Sequence, residues 1–276
     1  EIYGSDGAFF IESEFQVIDW DQVPNGLVLC RAWDLAATQG AGDYTVGVLL
    51  GYDRRNKVVY ILDVKRHQFA SHLVRDLIAV TALRDRDGVI YEPDDYDHRG
   101  KLISRGGTMM FNGEPCLFKG RVKVRLTQDP GSAGKSEADQ FREMLLTIGI
   151  KAVIKTASGD KASRASFYAD RVNSGNVRLV RAPWNHLFRE EHRKFHEDET
   201  HDFDDQVDAA ADATNEVAGK AMVISGAART VLAPSAFDVR QESRAPVQVQ
   251  PERVLVASPG HFRPPPSANP RPRGFL

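Results

Sequence analysis

The chain of 276 residues is 42% hydrophobic and 27% charged, ordinary globular usage, which excludes a fibrous or wholly disordered protein. A net charge of −2, from 36 basic and 38 acidic residues, excludes attachment to polyanions by bulk charge and leaves only local patches to do so. Cys30 and Cys116 make no disulfide framework or CxxC zinc pair, no apolar run reaches the roughly 20 residues of a membrane span, and EIYGSDGAFF lacks the basic start and apolar core of a secretory signal. A reducing compartment follows, and the start on Glu1 rather than Met is that expected of a fragment.

In chain order, LVLCRAWD (27–34) is a short apolar run that ends in a carboxylate, as a buried strand would. TVGVLLG (45–51) and KVVYILDV (57–64) are β-branched runs joined through YDRRN, a hairpin. Ser71 then stands as N-cap to an amphipathic helix with Leu73, Leu77, Ile78 and Val80 on its apolar side. From about 88 to 118 the pattern is interrupted by a segment rich in Asp, Gly and Arg, too long for an ordinary connection and read as a functional insertion. VKVRLTQD (122–129) is a strand, followed by a helix capped by Ser136 with Ala138, Phe141, Met144, Leu145 and Ile148 on one face. KAVIK (151–155) is a strand, DKASRASFYADRV a helix, NVRLV (176–180) a strand, and two helices lie around 183–196 and 205–218. From Val231 to the end the chain holds nine of its fourteen prolines, six Arg and three acidic residues, a composition that cannot offset its ordering entropy. The expected organisation is a folded domain over 1–225 and a flexible tail over 226–276.

The first three strands with tight connections, followed by βα units, predict an α/β fold: a mixed sheet with helices on both faces. With the first strand beside the fourth and parallel to it, Asp34 and Asp129 emerge at one sheet edge, where ligand chemistry concentrates in open α/β sheets. HDFDDQVDAAADA adds more oxygens, with Asp205 and Asp208 on one helical face. Carboxylates brought together repel unless cations lie between them, and oxygen-only ligands suit Mg²⁺ or Mn²⁺ rather than zinc. Two such ions, about 3.5–4 Å apart, activate a water and stabilise the leaving oxygen in phosphodiester cleavage. Singly, each acid also reads as structure: Asp34 as a strand-ending turn residue, Asp129-Pro130-Gly131 as a turn, Asp204 or Asp205 as a helix N-cap.

GSAGKS (131–136) is a near miss for a phosphate-cradling loop, because Asp129 stands where that motif needs glycine; Gly134 and Lys135 fit a tight strand-to-helix turn. A nucleotide-binding motor is therefore the weaker enzymatic alternative. A non-catalytic docking module, acting through the insertion and tail, is the other.

WDLAAT (33–38), GDYTVGVLLG (42–51), QDPGSAGKS (128–136), SGDKASRA (158–165), GNVRLV (175–180) and HDFDDQVDA (201–209), in that order, resemble the nuclease domain of phage terminase large subunits. The resemblance spans about Gly7 to Ala218 and implies a ribonuclease-H-like five-stranded mixed sheet. It also implies an endonuclease that cuts double-stranded DNA during packaging with two Mg²⁺ or Mn²⁺ ions. Asp34, Asp129 and an Asp of DDQVD would be the metal-binding and catalytic triad, with Asp205 preferred as the third ligand, then Asp208, then Asp204. The family's ATPase motor precedes this domain and is not in this chain; the terminase small subunit and portal protein are the partners implied, in the host cytoplasm and away from membranes.

DNA contacts must come from cations. Lys161 and Arg164 lie at i and i+3 near a helix start, Lys135 near another, and Lys119, Arg121, Lys123 and Arg125 alternate along a strand as one charged face for sequence-independent backbone binding. The same alternation suits a solvated edge strand. Asp43 and His201 are secondary candidates, as an extra metal ligand or loop cap and as a water-orienting group or surface residue. Trp33 and Trp184 read as core.

Overall fold

In the computed structural model, which describes residues 8–35, 44–96, 101–128, 132–156, 160–196 and 203–219, the apolar runs become strands. Asp43, Asp129, His201 and the tail over 226–276 lie outside the described residues. The elements run β1 (Gln16–Ile18), β2 (Val28–Asp34), β3 (Thr45–Asp53), β4 (Val58–His67) and α1 (Ser71–Asp87). Six short strands follow: β5 (Tyr91–Glu92), β6 (Asp95–Tyr96), β7 (Leu102–Ser104), β8 (Gly107–Thr108), β9 (Met110–Phe111) and β10 (Glu114–Pro115). Then come β11 (Val122–Gln128), α2 (Ser132–Thr147), β12 (Ala152–Thr156), α3 (Lys161–Asn173), β13 (Val177–Val180), α4 (Asn185–Lys194) and α5 (Asp205–Thr214), which continues as a π-helical turn over Asn215–Gly219.

Among the described residues the main sheet has the order β1-β13-β4-β3-β2-β11-β12, and β3 alone runs antiparallel to its neighbours. The mixed α/β sheet is as expected, and β2 lies parallel to β11, which places their C-terminal ends at one edge. The sheet has seven strands rather than five. The NVRLV run, as β13, adds a strand beside β4, and β1 adds one more. A three-residue strand is too short to show alternation, which is why sequence reading passes over it. The YDRRN turn is closed by Asp53, whose Oδ1 accepts the backbone N–H groups of Arg55 (2.8 Å) and Asn56 (3.2 Å).

Two helix starts differ from expectation. Ser71 is the first helical residue and Ala70 the N-cap, with extended backbone and no side-chain bond. Helix α2 begins at Ser132, a turn before Ser136, so Gly134 and Lys135 lie within it rather than in a preceding turn. The polar first turn of α2 carries no apolar period, so only the stretch from Ala138 onward was legible as helix.

Side chains alternate across the sheet. Cys30, Ala32, Val46, Val48, Leu50 and Val64 pack under α3, α4 and α5, while Trp33, Val124 and Leu126 pack under α1 and α2. Trp33 is a core residue as predicted, and Trp184 packs against the first cluster. A Cβ on Gly47 would lie 2.6 Å from the Trp33 ring, so only glycine lets the indole cross β3. Over its described residues, the segment 88–118 forms three antiparallel ribbons, β5 with β8, β6 with β7 and β9 with β10. It is anchored by buried Ile90 and Cys116 against Leu29, Leu49 and Leu62.

On the α1 face the sheet carries a buried ion network. The Arg31 guanidinium donates to Asp85 (2.7 and 2.8 Å), to Asp63 (2.6 Å) and to the Gly47 carbonyl (3.2 Å). Lys65 donates to the other Asp63 oxygen at 2.7 Å and approaches Glu92 at 3.4 Å. Burial pushes the Asp63 carboxyl up, but Lys65 and Arg31 outweigh it and hold it below the usual carboxylate range. Arg31→Met leaves Asp63 and Asp85 buried without their shared cation, so we expect a loss of about 3–5 kcal/mol. A fall in the urea midpoint at constant m-value checks it.

Candidate active site

Asp34 ends β2 and is half-buried. Over it lies α5, with Asp204 at its N-cap and Asp205, Asp208 and Asp212 at i, i+3 and i+7, on one face. The helix packs closely on the sheet and on its neighbouring helices, with Ala209, Ala210, Ala211 and Ala213 all buried in the shared core. Burial, then the carboxylates of Asp208, Asp205, Asp212 and Asp204, hold the Asp34 carboxyl well above the usual carboxylate range.

Cations from two other elements meet these acids. Lys161 Nζ lies 2.5 Å from Asp204 Oδ2 and 3.9 Å from Asp208 Oδ2, and Arg164 Nη2 donates to both Asp208 oxygens at 3.2 and 3.1 Å. Arg125 on β11 contacts the Asp212 carboxylate at 2.6 Å and donates to its carbonyl at 2.9 Å, and Thr127 Oγ1 bonds the same carboxylate. The backbone N–H of Tyr44 donates to Asp205 Oδ2 at 3.3 Å. Among the described residues, five acidic side chains thus lie with these three cationic ones. Burial, resisted by Arg164 and reinforced by Asp204, raises the Asp208 carboxyl to about 6.

The structure therefore brings together Asp34, Asp204, Asp205, Asp208, Lys161 and Arg164. Asp129 follows the last residue of β11, outside the described residues, and Asp43 and His201 lie outside them too. Lys161 and Arg164 pair with the α5 acids, Arg164 largely buried and Lys161 still partly open to solvent. The alternating stripe of β11 is not one open basic face. Because β11 lies between β2 and β12 with α5 across it, Arg125 is buried against Asp212, and Lys123 pairs with buried Glu216 at 3.0 Å. Lys119 and Arg121 are exposed but precede β11, and Val122 pairs with Leu29, so they stand at the sheet edge opposite Asp34. Lys135 is exposed on the first turn of α2. Sequence reasoning passed over Asp212, Thr127 and Glu216. Asp212 and Glu216 continue the 205–208 face at four-residue steps, a period that marks both.

Among the described residues no group of three or more His, Cys, Asp or Glu side chains is placed to hold a metal ion. The donor chemistry nonetheless fits a divalent cation in kind and in charge. The donors at the end of β2 are carboxylate oxygens, they outnumber the cations among the described residues, and Asp34 bears the repulsion.

Comparison with known proteins bears out the resemblance and the ribonuclease-H-like fold. Residues 117–216 match the family model described as Terminase RNaseH-like domain. The human cytomegalovirus terminase nuclease domain is 13% identical, with 77% of this chain and 95% of that one covered at a TM-score of 0.52. The large terminase nuclease of thermophilic phage G20c with bound magnesium is 14% identical (77% and 98% covered, TM-score 0.47). The large terminase of thermophilic bacteriophage D6E in complex with ADP is 17% identical at a TM-score of 0.45; 76% of this chain is covered but only 45% of that one, so the present chain spans less than half of it. No curated protein sequence is significantly similar to this chain.

The raised Asp208 pKa sets a sign for stability. The folded state holds this proton more tightly than the unfolded chain, so ionisation costs stability as pH rises from the unfolded value of 3.8 through about 6. Asp208→Asn removes that cost. The variant should gain on the wild type by roughly 2 kcal/mol between pH 4 and pH 7.5, read as the difference between their urea unfolding free energies.

Proposed function

We propose that this chain is the nuclease of a viral DNA-packaging terminase, a metal-dependent endonuclease that hydrolyses phosphodiester bonds of double-stranded DNA without strong sequence preference. The observation that carries this reading is the gathering of the α5 acids around Asp34 at the C-terminal edge of the sheet. The family match over 117–216 supports it, since it takes in both β11 and the α5 acids.

Asp34 and Asp205, with Asp129 following β11, would hold two Mg²⁺ or Mn²⁺ ions. When bound, such ions polarise the phosphodiester and make water a competent nucleophile at neutral pH. Asp205 is preferred over Asp208 and Asp204 because it begins α5, where its Oδ2 accepts the Tyr44 backbone N–H beside the end of β2. Lys161 and Arg164 offset the repulsion among the flanking acids and bring positive charge to where phosphate oxygens would lie. Arg125 and Thr127 fix Asp212, and through it the rotation of α5 over the end of β2.

In the same reading the motor, the terminase small subunit, the portal protein and the double-stranded DNA substrate are contributed by the rest of a packaging complex in the host cytoplasm. No helix among the described residues is long and apolar enough to cross a membrane.

Asp34→Asn should lower Mn²⁺-dependent nicking of supercoiled plasmid by on the order of 100-fold or more, since even outer-shell changes cost a metal site 10–100-fold. Its thermal midpoint should equal or exceed the wild type, because a repelled charge is removed. EDTA should abolish wild-type nicking and excess Mn²⁺ restore it. Undiminished nicking by Asp34→Asn rejects the assignment.

A further inference from the structure

A second recess adjoins the acidic centre. It has a volume of about 250 Å³ and is walled by Tyr44, Arg66, Leu187 and Phe203. Two of its walls are tied to the acidic centre: Tyr44 donates its N–H to Asp205, and Phe203 immediately precedes Asp204. Register fixes how far apart the two sites are. Val46 on β3 pairs with Asp34 on one side and with Arg66 on the other. Directly paired residues share a sheet face, so Asp34 and Arg66 project to the same side two strand spacings apart, roughly 10 Å. That is a few nucleotides of a DNA strand at most.

Arg66 is held mainly by stacking, with one long ion pair inside the protein. Its guanidinium carbon lies 3.3 Å from the centroid of the Tyr44 ring and 5.6 Å from that of Phe203. Stacking of this kind holds the planar fork in one orientation. Its Nε is buried without a hydrogen bond, and its ion pair with Glu191 is long, at 3.7 Å. Glu191 is already engaged, with one oxygen on the Gln206 backbone N–H at 2.6 Å and the other on its side-chain amide at 2.5 Å. At the rim, Lys194 and Glu190 neutralise each other at 2.8 Å. The recess therefore offers one oriented cation, stacked on Tyr44 and held by a single long ion pair, beside exposed Leu187 and Phe203.

We propose that this recess binds the nucleotide flanking the cleaved bond, with its phosphate on Arg66 and its sugar or base against Phe203 and Leu187. Arg66 is then a positioning residue, which holds the strand so that the neighbouring phosphate reaches the end of β2. This rests on the nuclease reading above.

The test uses the full chain. Binding of a fluorescent DNA duplex is followed by anisotropy against salt in an Asp34→Asn background, so that cleavage does not intervene, and plasmid nicking is measured with Asp34 intact. Arg66→Gln should bind about ten-fold more weakly, with a log K against log salt slope shallower by about one, the loss of a single phosphate contact. Arg66→Lys should recover the slope but not all the affinity. Phe203→Ala, at an exposed position that folding tolerates, should weaken binding several-fold with the slope unchanged. The single changes should raise KM for nicking more than they lower kcat. Wild-type affinity and slope in a natively melting Arg66→Gln, or full affinity in Phe203→Ala, would overturn the recess while leaving the nuclease reading intact wherever Asp34-dependent cutting persists. A wild type that neither binds nor cuts duplex DNA overturns both.

Discussion

Repulsion among Asp34, Asp204, Asp205, Asp208 and Asp212 is the constraint around which the edge of this domain is arranged. Two unit charges 4 Å apart repel by about 4 kcal/mol at an effective dielectric of 20, and α5 sets four acids beside a fifth. Their placement is tolerable because α3 supplies Lys161 and Arg164 and β11 supplies Arg125. Each of these elements is thereby oriented by a charge pair as well as by its apolar face. What the fixed cations leave unbalanced is negative and lined with oxygen. The same arrangement would suit a divalent ion.

The sheet keeps two electrostatic systems apart. Residues 30, 32 and 34 of β2 face α5, and 31 and 33 face α1 and α2. Arg31 anchors a dry network with Asp63, Asp85 and Lys65, while Asp34, two strand positions from Ala32, opens onto the acidic centre. A one-residue slip of β2 would exchange them, burying Asp34 among the α1 contacts and sending Arg31 under α5. Register at β2 is therefore a condition of the site, and seven backbone pairings with β3 hold it.

Much of the fold was legible in the residues. The hairpin followed from β-branched runs around YDRRN, the helices from their apolar period, and the parallel pairing of the first and fourth predicted strands from element order. Of the site, Asp34, Asp205 and Asp208 were legible as carboxylates at element ends, and the family resemblance joined them. What eluded a linear reading did so for identifiable reasons. Gln16–Ile18 is too short to show alternation. Arg31 sits inside an apolar run and gives no sign that two acids distant in sequence will bury it. The KGRVKVR stripe has the period of an exposed strand, but a strand between two others with a helix across it is not exposed.

Composition, period and the order of apolar runs were enough to establish an α/β domain with acids at the ends of its strands, because these are properties of local chemistry and near neighbours. Which acids meet, which cations answer them, and that Arg66 stands two strands from Asp34 on the same face came only from the folded chain. Charge pairing and cross-strand register join residues more than thirty positions apart, and nothing in the local sequence records which partner the fold will bring.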